Sequence, residues 1–492
     1  MGQPLKYEVC HILLKMSEHQ LNECPENTMV LSSQDRYTLS NRWIVRSDSG
    51  LSHPYLLFDI YSGNKFKITN TVFIILKILE FNSLTIEEIG DYLSKNTINV
   101  SKIELVKFVD DIARMGIIIK SGKALSSQTT KHSQTFEEFD VPITSTPYEV
   151  EIHFTKACNL RCLHCIYDAG RKLPNELEPI LWCKVFNELE SLKVLRIIIS
   201  GGEPLVYPFS RSLIEHLSSK KIRVDLLTNG TLTDKDLAHL LSAPNFSITV
   251  SLDGASPETH NLLRGIKCFD KVLEGLKLLS EAKSHFHIAV TMNKKNLNEM
   301  EDIVETAIHL GAKSVNFIIL DPLGRAKYAQ DLLLDTRDIA IISDKVRQLA
   351  EVYGESYIGY LDPSLPNYKD LDVYKKTTKI FCTAGTSRLA IRSDGMVFPC
   401  TYAFHDNKFA MGSIRSKSIE EIWSSTNWNL FRGRVELQDL HECKSCMLSS
   451  VCTLKLCRLR AYYSTGDFFG APPGCQKVNI MSENQDCGRG KA

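Results

Sequence analysis

The sequence has no apolar run long enough to cross a membrane. None of its hydrophobic stretches reaches the ~20 residues that a spanning helix needs. Charge of one sign is not in excess either, because 58 basic residues balance 58 acidic ones. Proteins that bind nucleic acid or a membrane surface through general electrostatics usually carry a basic surplus. The composition therefore predicts that the chain acts on neither nucleic acid nor a membrane.

The N-terminus also lacks the pattern of a secretory signal. In the segment MGQPLKYEVCHILLKMSEHQ, polar and charged residues interrupt the apolar ones, and no small-residue cleavage site follows. We therefore expect a cytoplasmic protein. Disulfides are rare in that compartment, so grouped cysteines there are more often metal ligands or catalytic groups. Cysteine is abundant, with 15 residues, ten of which fall into two sets.

The first set is the stretch CNLRCLHC, which directly follows the alternating run YEVEIHFTKA. Its cysteines are Cys158, Cys162 and Cys165, at spacing C-x3-C-x2-C. A disulfide needs two thiols and a structural zinc site usually needs four ligands. Three thiols on one loop therefore predict a metal centre with one position left open. A zinc knuckle that takes a distant fourth ligand is the alternative.

A strand–helix alternation begins at Tyr148. Six strand-like runs alternate with amphipathic helical segments, an order that predicts a parallel sheet covered by helices. Six units are too few for a closed eight-stranded barrel, so we predict a partial (β/α)6 barrel of the α/β class. Chemistry in such sheets lies at the carboxyl ends of the strands, where this chain places cysteine, GGEP, TNG and DG clusters. The six runs are EVEIHFT, LRIIIS, RVDLLT, SITVSL, FHIAVTM and SVNFII.

With these features on one chain, the sequence resembles the radical S-adenosylmethionine (SAM) superfamily. The resemblance rests on the three-cysteine motif with His164 before its last cysteine, and on GGEP after the second strand. It implies a [4Fe–4S] cluster held by the three cysteines, with SAM on the fourth iron. It further implies that SAM cleavage gives a 5′-deoxyadenosyl radical that abstracts a hydrogen atom from the substrate.

The same resemblance assigns SAM contacts to residues at the strand ends. The backbone of GGEP would approach the SAM amino group, because glycine places no side chain between chain and ligand. An arginine would bind the SAM carboxylate, which a guanidinium fits bidentately. The alternatives are a tight turn for the glycines, a surface ion pair for Asp253 and Arg264, and a loop-shaping role for TNG. The predicted SAM-binding residues are Gly201, Gly202, Glu203, Ser251, Asp253 and Arg264.

The second cysteine set begins at Cys382, in a C-x12-G-x4-C pattern whose Asp394-Gly395 pair predicts a hairpin turn. With the later CKSCMLSSVC, this set resembles the seven-cysteine SPASM extension of radical SAM peptide-modifying enzymes. The resemblance implies two auxiliary [4Fe–4S] clusters, and therefore three clusters in the protein. Seven thiols leave one of eight positions open or bound by another group such as Cys487. The implied ligands are Cys382, Cys400 and Cys457 for the first auxiliary cluster, and Cys443, Cys446, Cys452 and Cys475 for the second.

Two departures from the SPASM pattern bear on function. The last cysteine pair, in CTLKLC, is spaced C-x4-C where the family usually has C-x3-C. Thr401 follows Cys400, where the sulfatase-maturing branch commonly carries an Asp that serves as base. Oxidation of a Ser or Cys side chain to an aldehyde is therefore disfavoured. The sequence assigns no catalytic base in its place.

The N-terminal region combines two strand-like runs, RWIVRS and PYLLFDIY, with three helical segments. Asn70 is predicted to cap the first helix, and capping boxes that begin at Thr85 and Ser101 start the other two. This winged-helix-like order resembles the PqqD-like recognition domain of maturases of ribosomally made peptides. Such a domain would bind a leader peptide as an added strand. A purely structural wing and a DNA-binding domain are the alternatives.

Together these features predict a peptide maturase. Its expected partners are a precursor peptide with a leader sequence and an external electron donor of the flavodoxin or ferredoxin type. The expected product is a thioether between a Cys sulfur and a carbon, with a carbon–carbon or carbon–oxygen crosslink or epimerisation as alternatives. A non-catalytic iron–sulfur scaffold is the alternative of another class. The predicted segments are a recognition domain over 1–120, a linker over 121–146, the barrel over 147–355 and a SPASM domain over 356–492.

Overall fold

The computed structural model of the chain contains two compact units. The smaller takes in the described residues up to 121 together with 220–223, and the larger takes in the others. Cys452, Cys475 and Cys487 lie outside the described residues, as does most of the predicted linker. The described residues are 34–48, 54–121, 143–361, 382–432, 435–446 and 457–471.

The smaller unit packs three helices against short antiparallel strands. Strands β2, β3 and β4 form one sheet, and β1 pairs with β5. The two predicted strands and the three predicted helices are all present, around a core that includes Trp43, Leu57 and Phe108. The strands are β1 Tyr37–Leu39, β2 Trp43–Ser47, β3 Tyr55–Asp59, β4 Lys65–Lys67 and β5 Ile118–Lys120, and the helices are α1 Asn70–Phe81, α2 Ile86–Lys95 and α3 Lys102–Arg114.

The N-cap residues of this unit agree with the prediction for two of its three helices. Thr85 and Ser101 begin α2 and α3 with complete capping boxes, as predicted. The prediction that Asn70 caps α1 is wrong, because Thr69 has the extended backbone of an N-cap and its hydroxyl accepts from the Val72 N–H at 3.4 Å. The helix therefore begins one residue earlier than the Asn suggested.

A ten-stranded sheet forms the centre of the larger unit, in the order β12-β11-β10-β9-β8-β7-β6-β13-β14-β15. Strands β6 to β11 coincide with the six predicted runs, and the mixed α/β fold with its parallel strands is confirmed. Helices separate these strands along the chain. The strands are β6 Glu149–His153, β7 Arg196–Ser200, β8 Arg223–Thr228, β9 Phe246–Ser251, β10 Phe286–Met292, β11 Val315–Ile319, β12 Ile358–Leu361, β13 Arg388–Ile391, β14 Met396–Phe398 and β15 Gly412–Ser413; the helices are α4 Pro179–Ser191, α5 Ser210–Ser218, α6 Lys235–Leu240, α7 Pro257–Arg264, α8 Phe269–Glu281, α9 Met300–His309, α10 Thr336–Tyr353, α11 Ile419–Trp423, α12 Asn429–Arg432 and α13 Arg458–Thr465.

The sheet is wider than the six predicted strands at both edges. Strand β12 pairs in parallel with β11 and lies past residue 355, where the barrel was predicted to end. At the other edge β13 pairs in parallel with β6 and turns back into β14, with Gly395 in the left-handed region at φ +86°. The predicted hairpin at Asp394-Gly395 is thus present. This hairpin joins the cysteine-rich C-terminal region to the barrel through one continuous sheet.

The two faces of the parallel strands differ in burial. Side chains that meet the helices are fully buried, as where Phe154 lies 5.6 Å from the Trp182 ring of α4. The alternate positions of β10 and β11, such as Thr291 and Asn316, are only half-buried. The face of the sheet opposite the helices is therefore the side that leaves room for a ligand. No helix among the described residues combines the length and the apolar character that crossing a bilayer requires.

Candidate iron–sulfur and cofactor site

The loop CNLRCLHC leaves the carboxyl end of β6 with an N–H donor on each of its three sulfurs. The Leu160 N–H donates to Cys158 Sγ at 3.4 Å, and the Ala169 N–H donates to Cys165 Sγ at 3.4 Å. The Arg264 guanidinium donates to Cys162 Sγ at 3.7 Å. Donors of this kind stabilise a thiolate and tune the potential of an iron–sulfur cluster. The donor set therefore fits thiolate ligands.

The three thiols share one packed group of side chains. Cys162 is buried with Leu160 and Cys268, and Cys158 and Cys165 pack against them. Burial raises the pKa of Cys158 to about 11 and also raises the pKa of Cys162, with the neighbouring thiols adding to both shifts. Such thiols stay neutral unless a metal deprotonates them, as a bound metal does.

The arrangement of these cysteines also bears on the kind of metal. A four-iron cube binds one cysteine per iron, whereas the ligands of a zinc ion converge on one point. Among the residues that the structure describes, no three His, Cys, Asp or Glu side chains converge in that way. The cluster and the zinc knuckle both remain predictions for this loop.

Arg325, which the sequence interpretation missed, holds the cysteine loop from the carboxyl end of β11. Its N–H donates to the Cys165 carbonyl and its Nε to the Cys162 carbonyl, both at 2.9 Å. Before it, Gly324 has φ +57°, and a Cβ there would lie 2.4 Å from the Ile166 carbonyl oxygen. The signal that could have found it is the Gly-Arg pair just past the sixth strand.

Gly201 and Gly202 lie against the backbone that leads into the cysteine loop. The Gly202 N–H donates to the Thr155 carbonyl at 2.8 Å, and a Cβ on Gly202 would lie 2.1 Å from the Ala157 oxygen. Gly201 has φ +134°, and a Cβ there would lie 2.5 Å from the Thr155 oxygen. The glycines are therefore required by the close approach of two strand ends. Their predicted contact with the SAM amino group remains a prediction.

The Glu203 side chain joins GGEP to TNG. Its carboxylate accepts from Thr228 Oγ1 and from the Asn229 N–H, each at 2.8 Å. Asn229 in turn donates its side-chain amide to Asn159 Oδ1 of the cysteine loop at 2.9 Å. Burial raises the pKa of Glu203 against these hydrogen bonds. TNG thus positions the loops around the site, which is one of its two predicted roles.

Asp253 and Arg264 form an ion pair, but the pair is buried rather than at the surface. Asp253 Oδ2 lies 2.7 Å from the Arg264 guanidinium and 3.1 Å from His164 Nε2. Asp253 Oδ1 accepts from the Thr291 N–H at 2.9 Å. Burial alone would raise the pKa of Asp253, but Arg264 and His164 outweigh burial and hold it well below its usual range.

Asp253 and Arg264 already have partners within the protein, so any contact with SAM would come in addition to these. Both Asp253 oxygens are engaged by the protein, and Arg264 joins that carboxylate to Cys162. Ser251 ends β9 and is half-buried. The roles of all three on SAM remain predictions.

The structure brings together the three cysteines predicted for the first auxiliary cluster. Burial raises the pKa of Cys400 strongly, and the neighbouring Cys382 and Cys457 raise it further. Burial also raises the pKa of Cys457 to about 11, with Cys382 adding to the shift.

Two of the four cysteines predicted for the second auxiliary cluster are described. Cys443 and Cys446 lie on one turn, where the Cys446 N–H donates to the Cys443 carbonyl at 3.1 Å. Cys443 is buried and Cys446 is half-buried. Their predicted partners lie outside the described residues, so this ligand set remains a prediction.

Two regions of the chain match families of known proteins. Residues 152–307 match the radical SAM superfamily, and residues 382–447 match SPASM, an iron–sulfur cluster-binding domain. The first match contains the CNLRCLHC loop, GGEP and the Asp253 ion pair. The second contains four cysteines of the C-terminal set.

Three curated proteins give the scale of similarity in sequence. The AdoMet-dependent heme synthase of Methanosarcina barkeri is 31% identical over 358 residues, which are 68% of this chain and 98% of the synthase. The subtilosin biosynthesis protein AlbA of Bacillus subtilis is 29% identical over 63% of this chain and 65% of AlbA. The mycofactocin maturase MftC of Mycolicibacterium smegmatis is 28% identical over 59% of this chain and 73% of MftC.

Solved structures extend the similarity in fold. Streptococcus suis SuiB, bound to the precursor peptide SuiA, superimposes with a TM-score of 0.67 and 16% identity, over 89% of this chain and all of SuiB. The protein anSMEcpe with bound AdoMet superimposes with a TM-score of 0.54 and 21% identity, over 69% of this chain and 97% of its own. At these identities the likeness concerns the fold.

Proposed function

This chain belongs to the radical SAM superfamily, and from that premise we propose that it modifies a ribosomally synthesised precursor peptide. One observation carries the proposal: the chain has a folded N-terminal unit in addition to the barrel and the cysteine-rich region. The heme synthase is matched over 98% of its length by 68% of this chain, so about a third of the chain has no counterpart there. SuiB, solved with a precursor peptide, matches 89% of the chain.

The residues of the larger unit fit the cofactors that this function needs. Cys158, Cys162 and Cys165 would hold the cluster that binds SAM, and the remaining cysteine set would hold auxiliary clusters. When the protein holds both, a reduced cluster and SAM would supply a carbon-centred radical that removes a hydrogen atom from the substrate. The protein's own part is to hold the thiols with N–H donors and to fix three strand-end loops around them.

A thioether between a peptide cysteine and a carbon atom is the proposed product. The crosslink removes two hydrogen atoms from the peptide, one from carbon as a hydrogen atom and one from the thiol as a proton and an electron. An iron–sulfur cluster of the SPASM domain is the proposed acceptor of that electron, and a small flavodoxin or ferredoxin the proposed donor for SAM cleavage. Thr401, in place of the Asp of sulfatase-maturing enzymes, favours a crosslink over aldehyde formation.

The test is an anaerobic reaction of the reconstituted protein with SAM, dithionite and precursor peptides with and without cysteine in the core. We expect 5′-deoxyadenosine, together with a peptide that is lighter by two hydrogen atoms and has one thiol fewer for iodoacetamide. Mass spectrometry with fragmentation locates the bond. A product that loses two hydrogens yet keeps every thiol would indicate a carbon–carbon or carbon–oxygen crosslink. An unchanged mass with a D-residue would indicate epimerisation.

The smaller unit predicts a dependence on the leader peptide. If this unit binds the leader, binding raises the effective concentration of the core at the barrel mouth. A peptide without its leader should then be modified with a raised KM while kcat changes less. Steady-state kinetics check this, with a scrambled-leader peptide of the same length as control. Equal kcat/KM for the native and scrambled leaders would contradict the assignment.

A second candidate function follows from the 31% identity to the heme synthase, whose name refers to heme rather than to a peptide. That candidate would have the barrel and cysteine-rich region act on a heme precursor, with the smaller unit in another role. It is favoured if the holoprotein consumes SAM with such a precursor and leaves every peptide unchanged.

A further inference from the structure

His153 ends the first barrel strand, on the face of the sheet opposite the helices. Its neighbours Ile152 and Phe154 point to the helices, where the Phe154 ring lies 6.2 Å from that of Phe186. Glu149, Glu151 and His153 alternate with them and point the other way. The cysteine loop begins five residues later at Cys158. His153 is therefore the last inward-facing side chain of β6 before the candidate cofactor site.

A layer of ion pairs lies below His153. Glu149 pairs with Arg196 at 3.1 Å and with Arg388 at 3.0 Å, and Arg196 also pairs with Asp225. These ion pairs connect β6 with β7 and β13, and β7 with β8. Of the titratable side chains of β6, His153 lies nearest to the carboxyl edge and the cysteine loop.

The imidazole of His153 is held from three sides. Its Nε2 lies 3.6 Å from Glu151 Oε1, an electrostatic contact longer than a hydrogen bond. Its ring meets the edges of Tyr167 and Phe404 at centroid distances of 4.7 and 4.8 Å. Tyr167 follows Cys165 by two residues and Phe404 follows Cys400 by four. The imidazole thus lies between the segments that carry the two cysteine sets.

The charges around His153 suit a group that takes up a proton. Glu151 is also 3.1 Å from Arg388. Burial alone would raise the pKa of Glu151, but its contacts with His153 and Arg388 outweigh burial and lower it. An ionised carboxylate beside Nε2 favours a proton on that nitrogen, which leaves Nδ1 as the basic atom. Within the described residues, Nε2 is buried without a hydrogen bond, and no hydrogen bond joins Nδ1 to them either.

We propose that His153 is the proton acceptor of the peptide-modifying reaction, with Glu151 as the residue that positions it. This inference rests on the proposed function and supplies the base that the sequence left unassigned. In the step, the S–H bond of the substrate cysteine breaks and an N–H bond forms at Nδ1. The proton then passes to water. Two titratable or charged groups face the Glu151–His153 pair: Tyr167, which follows the cysteine loop, and Arg388 from β13.

The test compares H153Q and E151Q with wild-type holoprotein and with H309Q, which removes an exposed histidine from α9. General-base removal typically costs about 10²-fold or more. We expect H153Q to form 5′-deoxyadenosine at a near wild-type rate while crosslinked product falls about 10²-fold. The ratio of 5′-deoxyadenosine to product therefore rises. The ratio in H309Q is unchanged. An unchanged ratio in H153Q overturns the proposal.

E151Q tests the positioning role separately. It keeps the imidazole and removes the carboxylate charge beside it, so the ratio of 5′-deoxyadenosine to product should rise in E151Q as well, though by less than in H153Q. A wild-type ratio in E151Q overturns the role of Glu151. If wild-type protein cleaves SAM but leaves every peptide unchanged, the proposed function fails, and the role of His153 in it fails with it; if wild-type protein forms product, the ratio in H153Q decides the role of His153 alone.

Discussion

Replacement of Cys162 by alanine is expected to abolish SAM cleavage. Cys162 is the most buried of the three motif thiols, and its sulfur is the one that meets the Arg264 guanidinium. Without it a four-iron cube would keep only two protein ligands, too few to hold the cluster in place. The measurements are iron and sulfide per chain, which should fall by the equivalent of one cluster, and 5′-deoxyadenosine, which should fall to background.

Cys268 provides a matched control for this experiment. It packs in the same group of side chains as Cys162, yet it lies outside the C-x3-C-x2-C motif. C268A removes a different thiol from the same surroundings. Because Cys268 is not a predicted ligand, this variant should keep both its iron and its SAM cleavage. Loss of a cluster in both variants would make Cys268 a ligand. Zinc with no iron in wild-type protein prepared without oxygen would instead support a zinc knuckle.

The strands of the barrel could be predicted because their apolar runs are strong and regular. Strand β12 escaped prediction since IGYL is short and has a glycine at its second position, which usually weakens a strand. In the structure this glycine lies against the neighbouring strand, where a Cβ on Gly359 would lie 2.0 Å from Asn316 Oδ1. A pairing that depends on contact with a residue 43 positions earlier leaves no local signal. The same holds for β13, which joins the sheet beside β6.

The candidate site could be predicted where a motif fixes residue types, and less where tertiary contacts assign their partners. The two cysteine sets stand out by their spacing, and the family resemblance assigns each cysteine to a cluster. The surface alternative for the Asp253–Arg264 pair is wrong, because the pair lies in the interior and reaches Cys162. The SAM contacts of these two residues remain a prediction. Arg325 was missed because an isolated arginine after a strand resembles any surface arginine. Its hydrogen bonds to the cysteine loop depend on β11 lying across the sheet from β6.

The Asp253→Asn substitution should cause a large loss of stability in the larger unit. Asp253 is fully buried, and the substitution leaves the buried Arg264 without a counter-charge. Breaking a buried pair by removal of one partner typically costs about 3–5 kcal/mol. Urea unfolding followed by tryptophan fluorescence measures the loss. As control, D234N removes a charge from the exposed Arg211–Asp234 pair and should cost under about 1 kcal/mol.

The pH dependence of this loss follows from the direction of the Asp253 pKa. The folded pKa lies well below the value of about 3.9 expected in the unfolded chain. A depressed pKa contributes stability that is present above the unfolded pKa and is lost as pH falls through the folded one. The difference between wild type and D253N should therefore be constant above about pH 5 and shrink below about pH 4. A difference that persists unchanged at pH 3 would mean that the carboxylate charge is not what holds Arg264, and that the side-chain shape alone stabilises this part of the site.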